Sequence, residues 1–192
     1  MARPKEFVRE DVLDKAMQLF WARGFETPSI QDLVECMGIG RSSLYDTFGS
    51  KEELIFEALD CYVSQMKGRI LANLDRPGPA RQVIDDFFRN LIERDFGGHT
   101  KSCLITRAAL MTGRSNEEIL DRACDFLNLV EDAFHRILSN GLEGGEITPE
   151  KDARALARFF VNAMQGISVT AAARAERNTL EDVVRTTLSV LD

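Results

Sequence analysis

Residues 39–54 read IGRSSLYDTFGSKEEL, and this stretch decides the fold of the N-terminal end of the chain. Gly40 and Gly49 enclose eight residues, a length that suits one short helix. Leu44 and Phe48 lie four residues apart, so both side chains can point from one helix face into a core. The remaining polar residues are expected to face outward: Arg41, Ser42, Ser43 and Thr47.

Two further helices are predicted upstream of this stretch. Apolar residues recur with helical spacing over about 9–23 and again over 30–37. Ser29 is a suitable N-cap for the second helix, and Gly38 ends it just before the turn. Three short helices with a glycine-bearing turn between the second and third describe a helix-turn-helix unit. The outer face of the third helix would then have to enter a DNA major groove about 12 Å wide.

The downstream part of the chain also has helical periodicity throughout. Ser50 and Glu53 form a capping box that opens a long fourth helix, and Pro77-Gly78-Pro79 is the strongest break. We expect five more helices, at roughly 80–95, 103–112, 116–142, 149–175 and 180–191. The last three of these would be capped by Ser115, Thr148 and Thr179, respectively. The predicted fold class is all-α, with about nine helices. A helix-turn-helix DNA-binding domain over residues 1–50 would precede a helical-bundle ligand-binding and dimerisation domain over 51–192.

Composition narrows the possible functions without identifying one. The net charge is −7, and residues 1–51 carry seven Lys or Arg against eight Asp or Glu, so charge does not indicate nucleic-acid binding. No apolar run approaches the ~20 residues of a membrane span, and the expected location is the cytoplasm. The four cysteines have no metal-ligand spacing, and with two histidines the chain offers little for acid–base or di-iron chemistry. We therefore expect no enzyme activity, no metal and no cofactor.

Residues 39–54 closely resemble the TetR/AcrR family of transcription regulators, and Gly24-Phe25, Thr27 and Ile30 match that family upstream. The resemblance implies that Ser29, Tyr45 and Lys51 contact phosphates, and that Arg41, Ser42 and Thr47 lie in or beside the major groove. An N-terminal arm with Arg3 and Lys5 would reach the DNA backbone or minor groove. The predicted DNA-binding residues are Lys5, Ser29, Gly40, Arg41, Ser42, Ser43, Tyr45, Thr47 and Lys51.

Two residues depart from the family pattern. Gly40 stands where the family often has a Ser or Thr cap, so the third helix loses a side-chain oxygen at its start. Asp46 stands where an aromatic or basic residue is common, and a carboxylate is repelled by phosphates. Asp46 would therefore either accept a hydrogen bond from a cytosine amino group or turn aside.

For the rest of the chain, the resemblance implies effector binding and homodimerisation. Helix eight is rich in small residues, and helix nine has a broad apolar face. We expect the two helices of each subunit to form a four-helix interface with those of the other subunit. The alternative is that these faces pack only within one subunit. The effector is not identifiable. Its predicted pocket residues, each of which could equally be plain core, are Tyr62, Met66, Phe87, Phe88, Leu91, Met111, Phe126 and Phe134.

Cys103 carries a separate hypothesis. It follows Lys101-Ser102 and is expected to open helix six, where a helix N-terminus and a nearby cation favour the reactive thiolate. The segment also resembles a TetR subgroup in which some members sense oxidants or electrophiles through a cysteine, although a buried, inert thiol is the alternative. The predicted function is a repressor that binds a palindromic double-stranded DNA operator as a homodimer and is released by a small molecule or an electrophile. The alternative is a DNA-binding regulator without a small-molecule effector.

Overall fold

The computed structural model describes residues 7–96, 103–112, 116–173 and 175–192. These residues form nine α-helices and a short 3₁₀ turn, Ser189–Leu191, and contain no strand, as the periodicity predicted. The helices are α1 Arg9–Arg23, α2 Ile30–Met37, α3 Arg41–Phe48, α4 Lys51–Leu74, α5 Ala80–Phe96, α6 Leu104–Thr112, α7 Glu117–Glu143, α8 Ala153–Ala172 and α9 Arg177–Leu188. No helix in the described part of the chain is long and apolar enough to cross a membrane.

The chain divides into two compact units. The first, unit 1, comprises Met1–Gln65 and Leu104–Arg122, and the second, unit 2, comprises Met66–Cys103 and Ala123–Asp192. Unit 1 therefore contains α6 in addition to the three N-terminal helices. The predicted domain boundary after residue 50 does not coincide with the division into compact units, and it stays a prediction.

The three N-terminal helices share a small core within unit 1. Helix α1 contributes Met17 and Phe20, α2 contributes Leu33, and α3 contributes Leu44 and Phe48, all of them buried. Between α2 and α3 the chain reverses at Gly38, whose φ of 71° and ψ of 31° lie in the left-handed region that favours glycine. The predicted anchoring of α3 by two apolar residues is confirmed.

Unit 2 is built around a cluster of phenylalanine rings. Phe88, Phe134 and Phe160, from α5, α7 and α8, are fully buried. The centroid of the Phe134 ring lies 5.5 Å from that of Phe160 and 5.2 Å from that of Phe87. Such contacts join three helices at the centre of the unit and add to the free energy gained by burying the rings.

Two predicted helix starts are wrong. Helix α8 begins at Ala153 rather than near residue 149, because the side chain of Asp152, not that of Thr148, accepts hydrogen bonds from the amides of Arg154 and Ala155. Helix α9 begins at Arg177, so Thr179 lies inside its first turn and is not its cap.

The predicted cap Ser115 lies outside the described residues. At the start of α7, the Asn116 side chain accepts a hydrogen bond from the Ile119 amide at 3.2 Å. Asn116 thus occupies the N-cap position of this helix.

Candidate nucleic-acid interface

Helix α3 is amphipathic, and its polar face is exposed to solvent. Leu44 and Phe48 are buried, whereas Arg41, Ser42 and Asp46 are exposed. With two apolar anchors behind it, the polar flank of this eight-residue helix is accessible to an external partner.

Arg41 and Tyr45 lie side by side on this exposed surface. The guanidinium carbon of Arg41 is 5.9 Å from the centroid of the Tyr45 ring, within the range of a cation–π contact. This contact positions an Arg fork, the group that reads guanine O6 and N7, beside a phenol that can donate to a phosphate.

Thr47 differs from its predicted orientation. Its side chain is half-buried, and its hydroxyl oxygen is buried without a hydrogen-bond partner among the described residues. Thr47 is therefore placed at the edge of the outer face rather than on it. Ser43 is also half-buried, and Gly40 occupies the N-cap position with no side chain to accept a hydrogen bond.

The N-terminus of α2 is closed by a capping box within the chain. The Ser29 amide donates to the Asp32 carboxylate at 2.8 Å, and the Asp32 amide donates to the Ser29 hydroxyl oxygen at 3.1 Å. Hydrogen bonds from the Ser29 side chain and amide lower the pKa of the Asp32 carboxyl. A phosphate approaching Ser29 would meet this carboxylate.

Cations border this capping box. Arg23 Nη1 lies 3.4 Å from Asp32 Oδ1, and the Lys51 ammonium donates to the Glu26 carbonyl at 3.2 Å. An ammonium has three donors, so Lys51 can keep this bond and still bind a phosphate. Arg23 is a candidate phosphate contact that sequence reasoning missed, because only the folded chain shows that the last residue of α1 lies beside Asp32.

Arg9 is exposed but contacts residues of its own chain. Its guanidinium pairs with Glu57 and lies 5.0 Å from the centroid of the Phe48 ring. The Arg9 guanidinium therefore covers one face of the Phe48 ring, the second buried anchor of α3. Arg3 and Lys5, the predicted arm, lie outside the described residues.

The predicted effector-pocket residues fall in both units. Tyr62 and Met111 belong to unit 1, where Met111 lines a cavity of about 350 Å³ with Phe25, Ile55 and Phe56. Tyr62 is buried, and its ring centroid is 5.1 Å from that of Trp21. Six residues belong to unit 2 and are buried there: Met66, Phe87, Phe88, Leu91, Phe126 and Phe134.

Cys103 lies directly before α6, as predicted, and is buried, with 9% of its surface exposed. The neighbouring Lys101 and Ser102 lie outside the described residues. Cys103 therefore lies at a helix N-terminus, as the redox hypothesis requires. It is also buried, as the alternative of an inert thiol requires.

Comparisons with known proteins agree with this geometry. The family model for bacterial regulatory proteins, tetR family, matches residues 12–58. The HTH-type transcriptional regulator YezE of Bacillus subtilis (strain 168) is 33% identical, with 100% of both chains covered. The HTH-type transcriptional repressor ComR of Escherichia coli (strain K12) is 30% identical, with 97% of this chain and 90% of ComR covered. A cysteine mutant of the TetR family transcriptional regulator CifR, complexed with 26-bp double-strand operator DNA, has a TM-score of 0.88 at 31% identity, covering 100% of both chains.

Proposed function

Because the chain belongs to the TetR family of transcriptional regulators, we propose that it is a repressor that binds a palindromic operator as a homodimer and is released by an effector. Family membership confirms the resemblance read from residues 39–54. The relatives are named as transcriptional regulators, and CifR was solved on operator DNA, so DNA-binding regulation is the activity they support.

The exposed face of α3 is the observation that carries this proposal. Arg41 and Ser42 are exposed on a helix that Leu44 and Phe48 hold from behind, which is the arrangement a recognition helix needs. Of the other predicted contacts, Tyr45 is exposed, while Ser43, Thr47 and Lys51 are half-buried. We assign base contacts to Arg41 and Ser42, and phosphate contacts to Tyr45 and Lys51. Ser29, Gly40 and Ser43 would offer polar groups near the backbone.

An exposed stripe on α8 supports dimerisation. Five exposed residues recur at intervals of four and three along this helix, and they are small or apolar with one amide: Ala155, Phe159, Asn162, Gly166 and Val169. Large exposed apolar residues at helical spacing commonly mark protein interfaces. On α9, Val183 is exposed, but Leu180, Val184 and Leu188 are buried within unit 2. We therefore assign the interface mainly to α8, with Val183 as the contribution of α9.

A two-fold dimer would place two copies of α3 in successive major grooves, about 34–36 Å apart. An effector that binds one conformation of the dimer better than another would shift this spacing and lower DNA affinity. The difference in effector affinity between the two conformations would arise at one of three places. These are the predicted pocket residues around Met66 and Phe134, the cavity beside Met111, and the Cys103 thiol, which an electrophile would modify.

Selection of bound DNA from a random pool tests the proposal. A repressor dimer should enrich an inverted repeat with half-sites one helical turn apart, and affinity should fall linearly on a log–log plot against salt. Enrichment of a single, unrepeated half-site would contradict dimeric binding. The absence of any enriched sequence at low salt would contradict the function itself.

A thermal-shift screen of apolar small molecules and mild electrophiles tests the effector. A ligand that binds only the folded state raises its stability by mass action, and a true effector must also release the selected DNA. Modification of Cys103 that leaves DNA affinity unchanged would exclude the electrophile route. If no compound in either class released DNA, the effector-free regulator would be favoured.

A further inference from the structure

Asp46 is the most outward-facing residue of α3. At 100° per residue, it lies about 180° from the direction between Leu44 and Phe48, the two buried anchors. The same construction puts Tyr45 and Thr47 about 80° from the anchors, which agrees with their positions at the flanks. A helix that enters a groove with its outer face foremost would therefore present Asp46 at the centre of the contact.

No structural role accounts for a carboxylate at this position. Asp46 is exposed and has no ion-pair or hydrogen-bond partner among the described residues. Arg41, the only cation of α3, lies over the Tyr45 ring instead. Asp46 also falls in the last turn of the helix, where the negative end of the helix dipole disfavours a carboxylate. Aspartate is moreover a weak helix former.

The chemistry of the major groove then limits what Asp46 can bind. An ionised carboxylate accepts hydrogen bonds and donates none. Guanine and thymine present acceptors at the groove edge, and adenine presents its N7 acceptor beside its amino group. Cytosine alone presents a donor, its 4-amino group, and no acceptor of its own on the major-groove edge.

We propose that Asp46 is a specificity-determining residue that selects a cytosine in each half-site by accepting a hydrogen bond from the cytosine 4-amino group. This inference rests on the proposed DNA-binding function. Asp46 adds little affinity for DNA in general, because the phosphates repel it, and it acts by excluding sites that lack the donor.

Three variants separate base reading from simple repulsion. Asp46→Ala removes the acceptor, Asp46→Asn adds a donor that can pair with adenine, and Glu52→Gln removes an exposed carboxylate from the first turn of α4 as a charge control. Each protein is first used to select DNA from the same random pool. Binding is then titrated at one salt concentration on the selected site and on copies with the cytosine pair changed to T·A or A·T.

The native chain should prefer the cytosine site over the T·A site by roughly 5- to 150-fold, the range of one good base contact. Asp46→Ala should lose this preference, Asp46→Asn should move it toward adenine, and Glu52→Gln should keep it. The Asp46 variants should melt at or above the native temperature, because each relieves the unfavourable helix end. A loss of preference would then not be due to unfolding.

Two results would overturn the inference in different ways. If Asp46→Ala and Glu52→Gln both raise affinity for every sequence by the same factor, Asp46 only repels DNA, and the regulator function stands. If the native chain selects no sequence, the proposed function fails first.

Discussion

Replacing Leu44 with alanine should detach helix α3 from the core of unit 1. Only Leu44 and Phe48 are buried in α3, and Leu44 is fully buried. At about 0.8 kcal/mol per buried methylene, the loss of three carbon atoms costs about 2.4 kcal/mol. The cavity that remains raises the cost toward about 5 kcal/mol. An eight-residue helix is shorter than the ~12–15 residues that hold a helix together alone, so α3 cannot persist undocked.

The chain offers a matched control in Leu110, a leucine of α6 in the same unit with 76% of its surface exposed. Leu110→Ala should change the free energy of unfolding by no more than about 0.5 kcal/mol. Chemical denaturation measures both variants, and amide hydrogen exchange reports the opening of α3 directly. Affinity for the selected DNA provides the functional measurement.

Leu44→Ala should show faster exchange along α3 and weaker DNA binding, with Leu110→Ala close to the native protein. Equal exchange rates and equal DNA affinity in the two variants would refute the reasoning. In that case the small core of unit 1 would not be what holds α3 in place.

Three further predictions concern single residues. The pKa of Asp32 is lowered by Ser29, so its contribution to stability is present above the ordinary value of 3.8 and is lost as the pH falls through the lowered value. Asp32→Asn should remove this acid-induced loss from denaturation curves measured against pH. Arg41→Ala should relax one position of each half-site by roughly 1–3 kcal/mol in binding titrations, and uniform weakening on all sequences would assign Arg41 to a phosphate instead. Val169→Lys, on the exposed stripe of α8, should shift the sedimenting species from dimer to monomer, and an unchanged dimer would place the interface elsewhere.

The limits of α3 could be predicted from the sequence because local signals set them. Gly40 and Gly49 enclose the helix, and Leu44 and Phe48 define its buried face, so Arg41–Phe48 follows without knowledge of distant residues. Thr47 was misplaced because polarity was taken to mean exposure. At about 80° from the anchors it borders the core, and its hydroxyl is buried there.

The start of α8 could not be predicted, because contacts far away in the sequence decide it. The Glu146 carboxylate accepts a hydrogen bond from the Ala80 amide at 2.7 Å, and Ile147 is buried in the same unit. These contacts hold the chain as a loop through Thr148, so the helix begins only at Ala153, with Asp152 as its N-cap. Threonine and aspartate both cap helices well, so residue type alone did not separate Thr148 from Asp152, and the packing of the preceding loop favours Asp152.

The acidic composition changes how DNA recognition must work in this protein. A net charge of −7 opposes association with a polyanion, but at physiological salt a charge is largely screened beyond about 8 Å. The charges near α3 therefore matter most, and α3 itself carries one cation, Arg41, and one anion, Asp46. Because α3 itself carries no net charge, attraction to phosphates would come mainly from neighbouring cations such as Arg23 and Lys51, and it would give modest affinity for arbitrary DNA. Discrimination would then come mainly from base edges, where Arg41 would read guanine and, as proposed above, Asp46 would read cytosine.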